Sequence, residues 1–230
     1  GVHQMDVARW GLKAGMPNSV VSVGGRFGYV DDGETANTQL SLFEYPHAKM
    51  IFEVRGLKTD KFMGADVGVI WIGSDGMVVC PSYYSSGIVY DKGGKEIAKY
   101  TGGNDQNHFD NFVKAVRSRK HTDLSCDIAE GHISAALCHL SNISYRLGAE
   151  TAFDKDITAF TDCKDAVEAL VRMKAHLKAN GVDLAKAIGR VGPKLTLDPK
   201  TEKFVNNSQA DAMLTREYRA PFVVPAAGQV

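Results

Sequence analysis

The sequence has no surplus of charge of either sign: 27 Lys and Arg residues balance 27 Asp and Glu residues over 230 positions. With no excess positive charge to neutralise a phosphate backbone, the electrostatic motive for general nucleic-acid or anionic-membrane binding is gone. Long apolar runs are absent too. The longest, Ala65 to Gly73, falls far short of the roughly 20 residues that cross a bilayer. The chain does not open on a charged segment followed by an apolar core. Cysteine is sparse: Cys80, Cys126, Cys138 and Cys163 contain no CxxC pair and are too few for a disulfide scaffold, so reduced, buried thiols are expected. Glycine-rich phosphate cradles are missing. Neither GxGxxG nor GxxxxGK[ST] occurs, and Gly24, Gly25 and Gly28 lack the spacing that frees several backbone amides for a pyrophosphate. What remains, 44% hydrophobic and 23% charged, is ordinary globular composition.

The residues present divide the chain into strands first and helices afterwards. Val2 to Leu12 reads as a helix ended by Gly15 and Pro17. Short β-branched and aromatic runs follow at Val20–Val23, Gln39–Tyr45, Met50–Arg55, Val67–Ile72, Met77–Cys80, Ile88–Tyr90 and Glu96–Tyr100. Their connectors, among them Ser74-Asp75-Gly76 and Asp91-Lys92-Gly93-Gly94, are too short for crossover helices, which predicts antiparallel neighbours. Asn104 can cap a helix bearing Phe109, Phe112, Val113 and Val116 as one apolar stripe, with a basic end at Arg117 to Lys120. Further helices are expected over Asp127–Leu147 and from Asp162 to Gly181, then a hairpin at Lys194–Val205 around Asp198-Pro199, and a last helix over Gln209–Tyr218. This order argues for one α+β domain over residues 1–230: a mainly antiparallel open sheet with helices packed on one face.

Few residues advertise chemistry. The seven histidines include no HExxH or other zinc spacing; His132 and His139 share a helical face without securing a ligand geometry, so no metal site is expected. His3 stands out, because Asp6 and Trp10 lie on the same face of the first helix and a carboxylate one turn on can orient an imidazole or catch a substrate hydroxyl. Asp31-Asp32-Gly33-Glu34 reads as a cation or polyol site or as a solvated turn. Arg26 and Arg55 suit an anionic substrate or pairing with that cluster, and Trp71 and Tyr83-Tyr84 suit stacking on a sugar or packing in a core or interface.

Several stretches resemble the glucose-fructose oxidoreductase / inositol dehydrogenase family, also called Gfo/Idh/MocA. They are Gly1-Val2-His3-Gln4-Met5-Asp6-Val7-Ala8-Arg9-Trp10, Asp31 to Gln39, Glu53-Val54-Arg55-Gly56, Asn107 to Phe112 with Ala115 to Arg119, Glu130 to Gly148, and Asp198 to Phe204, in order over nearly the whole chain. The resemblance implies the C-terminal α+β domain of such an enzyme, following a Rossmann domain that would precede Gly1 and hold most of the NAD or NADP. It implies that His3 is the catalytic histidine facing the nicotinamide, that Asp6 touches substrate or anchors its helix, and that Trp10 and Arg26 neighbour the pocket. A sugar, cyclitol or related polyol is the implied substrate, with subunits meeting through the open sheet face. The family's Glu-Lys-Pro segment and the acid four residues before the histidine would also precede Gly1, so the chain is not expected to turn over substrate alone. A non-catalytic assembly module and part of an NAD-dependent glycoside hydrolase are the alternatives.

Overall fold

A computed structural model describes residues 1–82, 86–225 and 228–229. Every named strand pair is antiparallel, so among the described residues there is no doubly wound parallel sheet. The α+β class is as expected, but the strands form two sheets. The larger runs β1 (Ser19–Gly25), β2 (Thr38–Glu44) and β3 (Lys49–Arg55), with late strands β10 (Leu195–Asp198) and β9 (Ile188–Val191) sharing the other edge of β1. There β11 (Lys203–Phe204) extends β10 and β8 (Ala149–Ala152) extends β9, which makes seven strands. The smaller is a meander of β4 (Val69–Ile72), β5 (Gly76–Cys80), β6 (Ser86–Asp91) and β7 (Glu96–Thr101).

Helices flank both faces of the larger sheet, a departure from the one-sided packing expected. The cause lies in β1, which is buried along its whole length. Val21 and Val23 pair with Leu42 and Leu40 and turn to one face, whereas Val20 pairs with Phe43 and turns to the other; a strand apolar on both sides needs cover on both. Helix α4 (Lys164–Ala179) covers the first face with Ala166, Ala169, Leu170, Met173 and Leu177, joined by Phe153 and Phe160. Helices α1 (Val2–Leu12) and α3 (Ile128–Arg146) cover the second with Met5, Leu137, Leu140 and Ile143.

Small residues bring α3 close to that second face, and the seam is polar. The Ser41 and Ser141 hydroxyls lie 2.6 Å apart, Gln39 donates to Ser22 and Ser141, and the Ser144 hydroxyl accepts from the Ser22 amide while donating to the Pro193 carbonyl. Ser22, Ser41, Ser141 and Ser144 are all buried, and mutual pairing meets the cost of burying their hydroxyls.

The caps follow the sequence. Asn104 accepts from the Gln106 amide at the head of α2 (Asp105–Ser118), and Asp127 accepts from Ala129 at the head of α3. Strands β8 and β9 were not foreseen, because Ala-Glu-Thr-Ala is weakly β-forming and Ile-Gly-Arg-Val, interrupted by glycine, is too short to register. The last helix, expected over Gln209–Tyr218, is only α5 (Ser208–Ala212). Asn207 caps it and Asp211 turns its carboxylate to the Phe204 amide, while the residues beyond lack an apolar stripe to hold a longer helix. No helix among the described residues is long and apolar enough to cross a membrane.

Candidate functional site

Helix α1 is fastened along one side. Met5 is 1% and Arg9 5% exposed. The Arg9 Nε donates to the Ser134 hydroxyl at 3.0 Å, Nη1 to the Ala14 carbonyl at 3.0 Å and Nη2 to the Glu130 carboxylate at 2.5 Å. Ser134 in turn donates to Asp6 Oδ1, which lies 3.8 Å from the Arg9 guanidinium. A guanidinium, a hydroxyl and two carboxylates thus bolt α1 onto the first turns of α3. Sequence reasoning passed over Arg9; its signal was the carboxylate three residues earlier on the same helix, beside a buried Met5.

The opposite side of α1 carries the expected residues. His3 is exposed in the first turn and Trp10 is 51% exposed. Asp6 lies at the margin between the fastened and open sides, with Oδ1 accepting from Ser134. Trp10 lines an open groove of roughly 420 Å³ with Arg9, Lys13, Gly15, Glu130 and Ile133. The structure therefore gathers His3, Asp6 and Trp10 on one helix. Arg26 belongs elsewhere: it pairs with Asp31, donates to the Thr35 carbonyl at 2.6 Å and lies over the Tyr29 ring at 5.7 Å. The acidic turn takes Arg26 as its counter-ion.

Other candidates resolve into structure. His132 meets Glu202 at 2.6 Å and His121 meets Asp127 at 2.8 Å, and no group of three metal-ligating side chains occurs among the described residues. The expectation of buried thiols is corrected: only Cys163 is buried, Cys80 and Cys138 are half-buried, and Cys126 is exposed. Cys126 sits in the turn before α3, where partial burial and the carboxylates of Asp6, Glu130 and Asp127 raise its pKa, the reverse of an activated nucleophile. Trp71 packs between β4 and α1, and Tyr83-Tyr84 lie outside the described residues.

One buried base sits apart, on the α4 seam with β3. His176 is 7% exposed, its Nε2 has no partner among the described residues, and burial together with the nearby Arg55 guanidinium lowers its pKa. The ring is thus harder to protonate in the fold than in the unfolded chain, where it titrates near 6.5. Its contribution to stability is complete above pH 6.5 and is lost as pH falls through that value toward the depressed folded pKa. Urea midpoints are expected to drop between pH 7.5 and 5.5, and to drop less in His176→Gln. Equal pH dependence in both proteins refutes the assignment.

Neither a protein-family model nor a curated protein matches the chain. Similar solved structures include a protein from Thermotoga maritima named "putative oxidoreductase", 17% identical over 63% of this chain and 42% of that one, with a TM-score of 0.47. Another of that name, from Klebsiella pneumoniae, is 17% identical over 76% and 52%, with a TM-score of 0.48. The UDP-N-acetylglucosamine 3-dehydrogenase of Acidithiobacillus ferrooxidans is 14% identical over 61% and 44%, with a TM-score of 0.44. The chain spans about half the length of these structures. Likeness at this level is distant and assigns no chemistry.

Proposed function

We propose that this chain is the substrate-binding domain of an NAD(P)-dependent oxidoreductase acting on a sugar, cyclitol or related polyol. One observation carries the reading: a helix locked to the body by Arg9, Ser134 and Glu130 has an exposed His3 in its first turn, with Asp6 one turn along. A rigid mount for an exposed acid–base group is what proton transfer at a carbinol requires. The described residues contain no phosphate cradle, so the dinucleotide is assigned to a Rossmann domain outside this sequence. When bound, the nicotinamide supplies the hydride acceptor or donor. His3 takes the hydroxyl proton on oxidation and returns it on reduction, and the Asp6 carboxylate receives a neighbouring substrate hydroxyl. Trp10 offers its ring to the sugar, while Arg26, paired with Asp31, braces its own loop. Subunits meet through the open small sheet, where Ile72, Ile97 and Tyr100 are exposed.

The test uses the complete protein with a panel of sugars and cyclitols and either nicotinamide cofactor. Growth of reduced cofactor with an equal amount of ketone is the expected result. Sugar release without net reduction selects the glycoside hydrolase instead. Failure to bind or reduce either cofactor overturns the reading and leaves the assembly module.

A further inference from the structure

Helix α2 is held from behind and bare in front. Asn111 donates to the Asp123 carbonyl at 2.7 Å and accepts from the Ser125 amide at 2.9 Å, and Ala115 is buried beside them. These contacts fix the helix to the segment that follows it. They turn Phe109, Phe112, Val113 and Val116 to solvent at 61%, 62%, 43% and 48% exposure. A regular apolar stripe at i, i+3, i+4 and i+7 on a capped helix is an interface pattern rather than scattered surface apolarity. We propose that the stripe pairs with the same stripe of a second copy of this chain, the two α2 helices lying antiparallel about a two-fold axis.

Two features of α2 select that partner. The first is size. With the axis between Phe112 and Val113, Phe112 of one copy faces Val113 of the other and Phe109 faces Val116, so each ring meets a small branched side chain on both sides of the axis. A parallel arrangement sets ring against ring and leaves the valines underfilled. The second is charge. The same register brings Asp105, at the amino end of one helix, opposite Lys120, just beyond the carboxyl end of the other; Asp110 lies toward the acidic end, and Arg117 and Arg119 toward the basic one. None of Asp105, Arg117, Arg119 and Lys120 has an ion-pair partner among the described residues. The acidic and basic ends also oppose the helix dipoles favourably. An isologous contact needs a self-complementary patch, and α2 supplies one in both size and sign. From Phe109 to Val116 the stripe is only about 10 Å long. Its contact therefore belongs at the low end of interface sizes, and the pairing is reversible. It involves neither His3 nor the small sheet, so it stands independently of the oxidoreductase reading.

Sedimentation over a concentration series gives the test. The protein is expected to dimerise with a micromolar dissociation constant, and Phe112→Asp to weaken the dimer by roughly a hundredfold or more while leaving the melting temperature of the monomer unchanged. Phe109→Gln serves as the milder variant should Phe112→Asp fail to fold. Asp105→Lys and Lys120→Asp each weaken the dimer, by roughly five- to tenfold since symmetry doubles every pair, and the double variant returns it to within about twofold of the parent. A chain monomeric at every concentration, a dimer indifferent to the apolar substitutions, or a double variant that fails to recover overturns the pairing. The recovery distinguishes a second copy from any other occupant of the stripe.

Discussion

Replacing Arg9 by Ala is expected to destabilise the fold by about 3 kcal/mol. The side chain is 5% exposed and donates to three different groups. Removing it strands the Ser134 hydroxyl and the Ala14 carbonyl and leaves Asp6 and Glu130 close together without their shared cation. Loss of one partner from a buried ion pair costs about 3–5 kcal/mol. The lower end applies because the Glu130 side chain is 47% exposed and can take up water in exchange. Arg9→Met separates packing from charge: it keeps the stem against its neighbours and should recover part of the loss, whereas Arg9→Lys keeps the charge but cannot fork to Ser134 and Glu130 together. Urea denaturation with the slope held in view decides the matter. A change below about 1 kcal/mol would show that α1 is fastened by Met5 and its apolar neighbours alone.

His3→Ala should do the reverse. An exposed residue in the first turn of a helix contributes little to folding, so the melting temperature is expected to stay within a degree or two. Turnover of the complete enzyme, if the proposed function holds, should fall by about 10²–10⁴, the range spanned by a positioned general acid or base. Cofactor affinity should hardly move, because on that reading the phosphates are held by the dinucleotide domain. Full turnover without His3 removes the residue from the mechanism. Loss of cofactor binding to the same extent as turnover assigns it to the dinucleotide site.

The fold was legible where elements are long or sharply punctuated. Helices α1, α2 and α3 and all seven early strands stand within a few residues of their sequence limits, because their apolar spacing and their capping residues agree. Strands β8 and β9 escaped notice since a four-residue strand pinned by its neighbours needs no β-rich composition of its own. The two-sided cover of β1 was written in Val20-Val21 and in Leu42-Phe43, adjacent apolar pairs that a one-faced strand does not need. The candidate site was legible in its helical spacing alone: His3, Asp6 and Trp10 do share a side of α1. What spacing could not convey is the third dimension, namely that Ser134 and Glu130, over a hundred residues on, hold that helix, and that Arg26 is already taken by Asp31. Contacts between distant segments leave no period in the sequence.

The Trp71 joint gives α1 a second duty. The indole N–H donates to the Ala8 carbonyl at 3.1 Å, and the ring lies so close to Gly11 that a Cβ there would fall 2.3 Å from it. From residue 3 to residue 11 the helix runs about 12 Å, and the four-stranded meander rests on its far end through β4. One short helix therefore splices the two sheets: Arg9 ties it to α3, which lies on the larger sheet, and Trp71 ties it to the smaller.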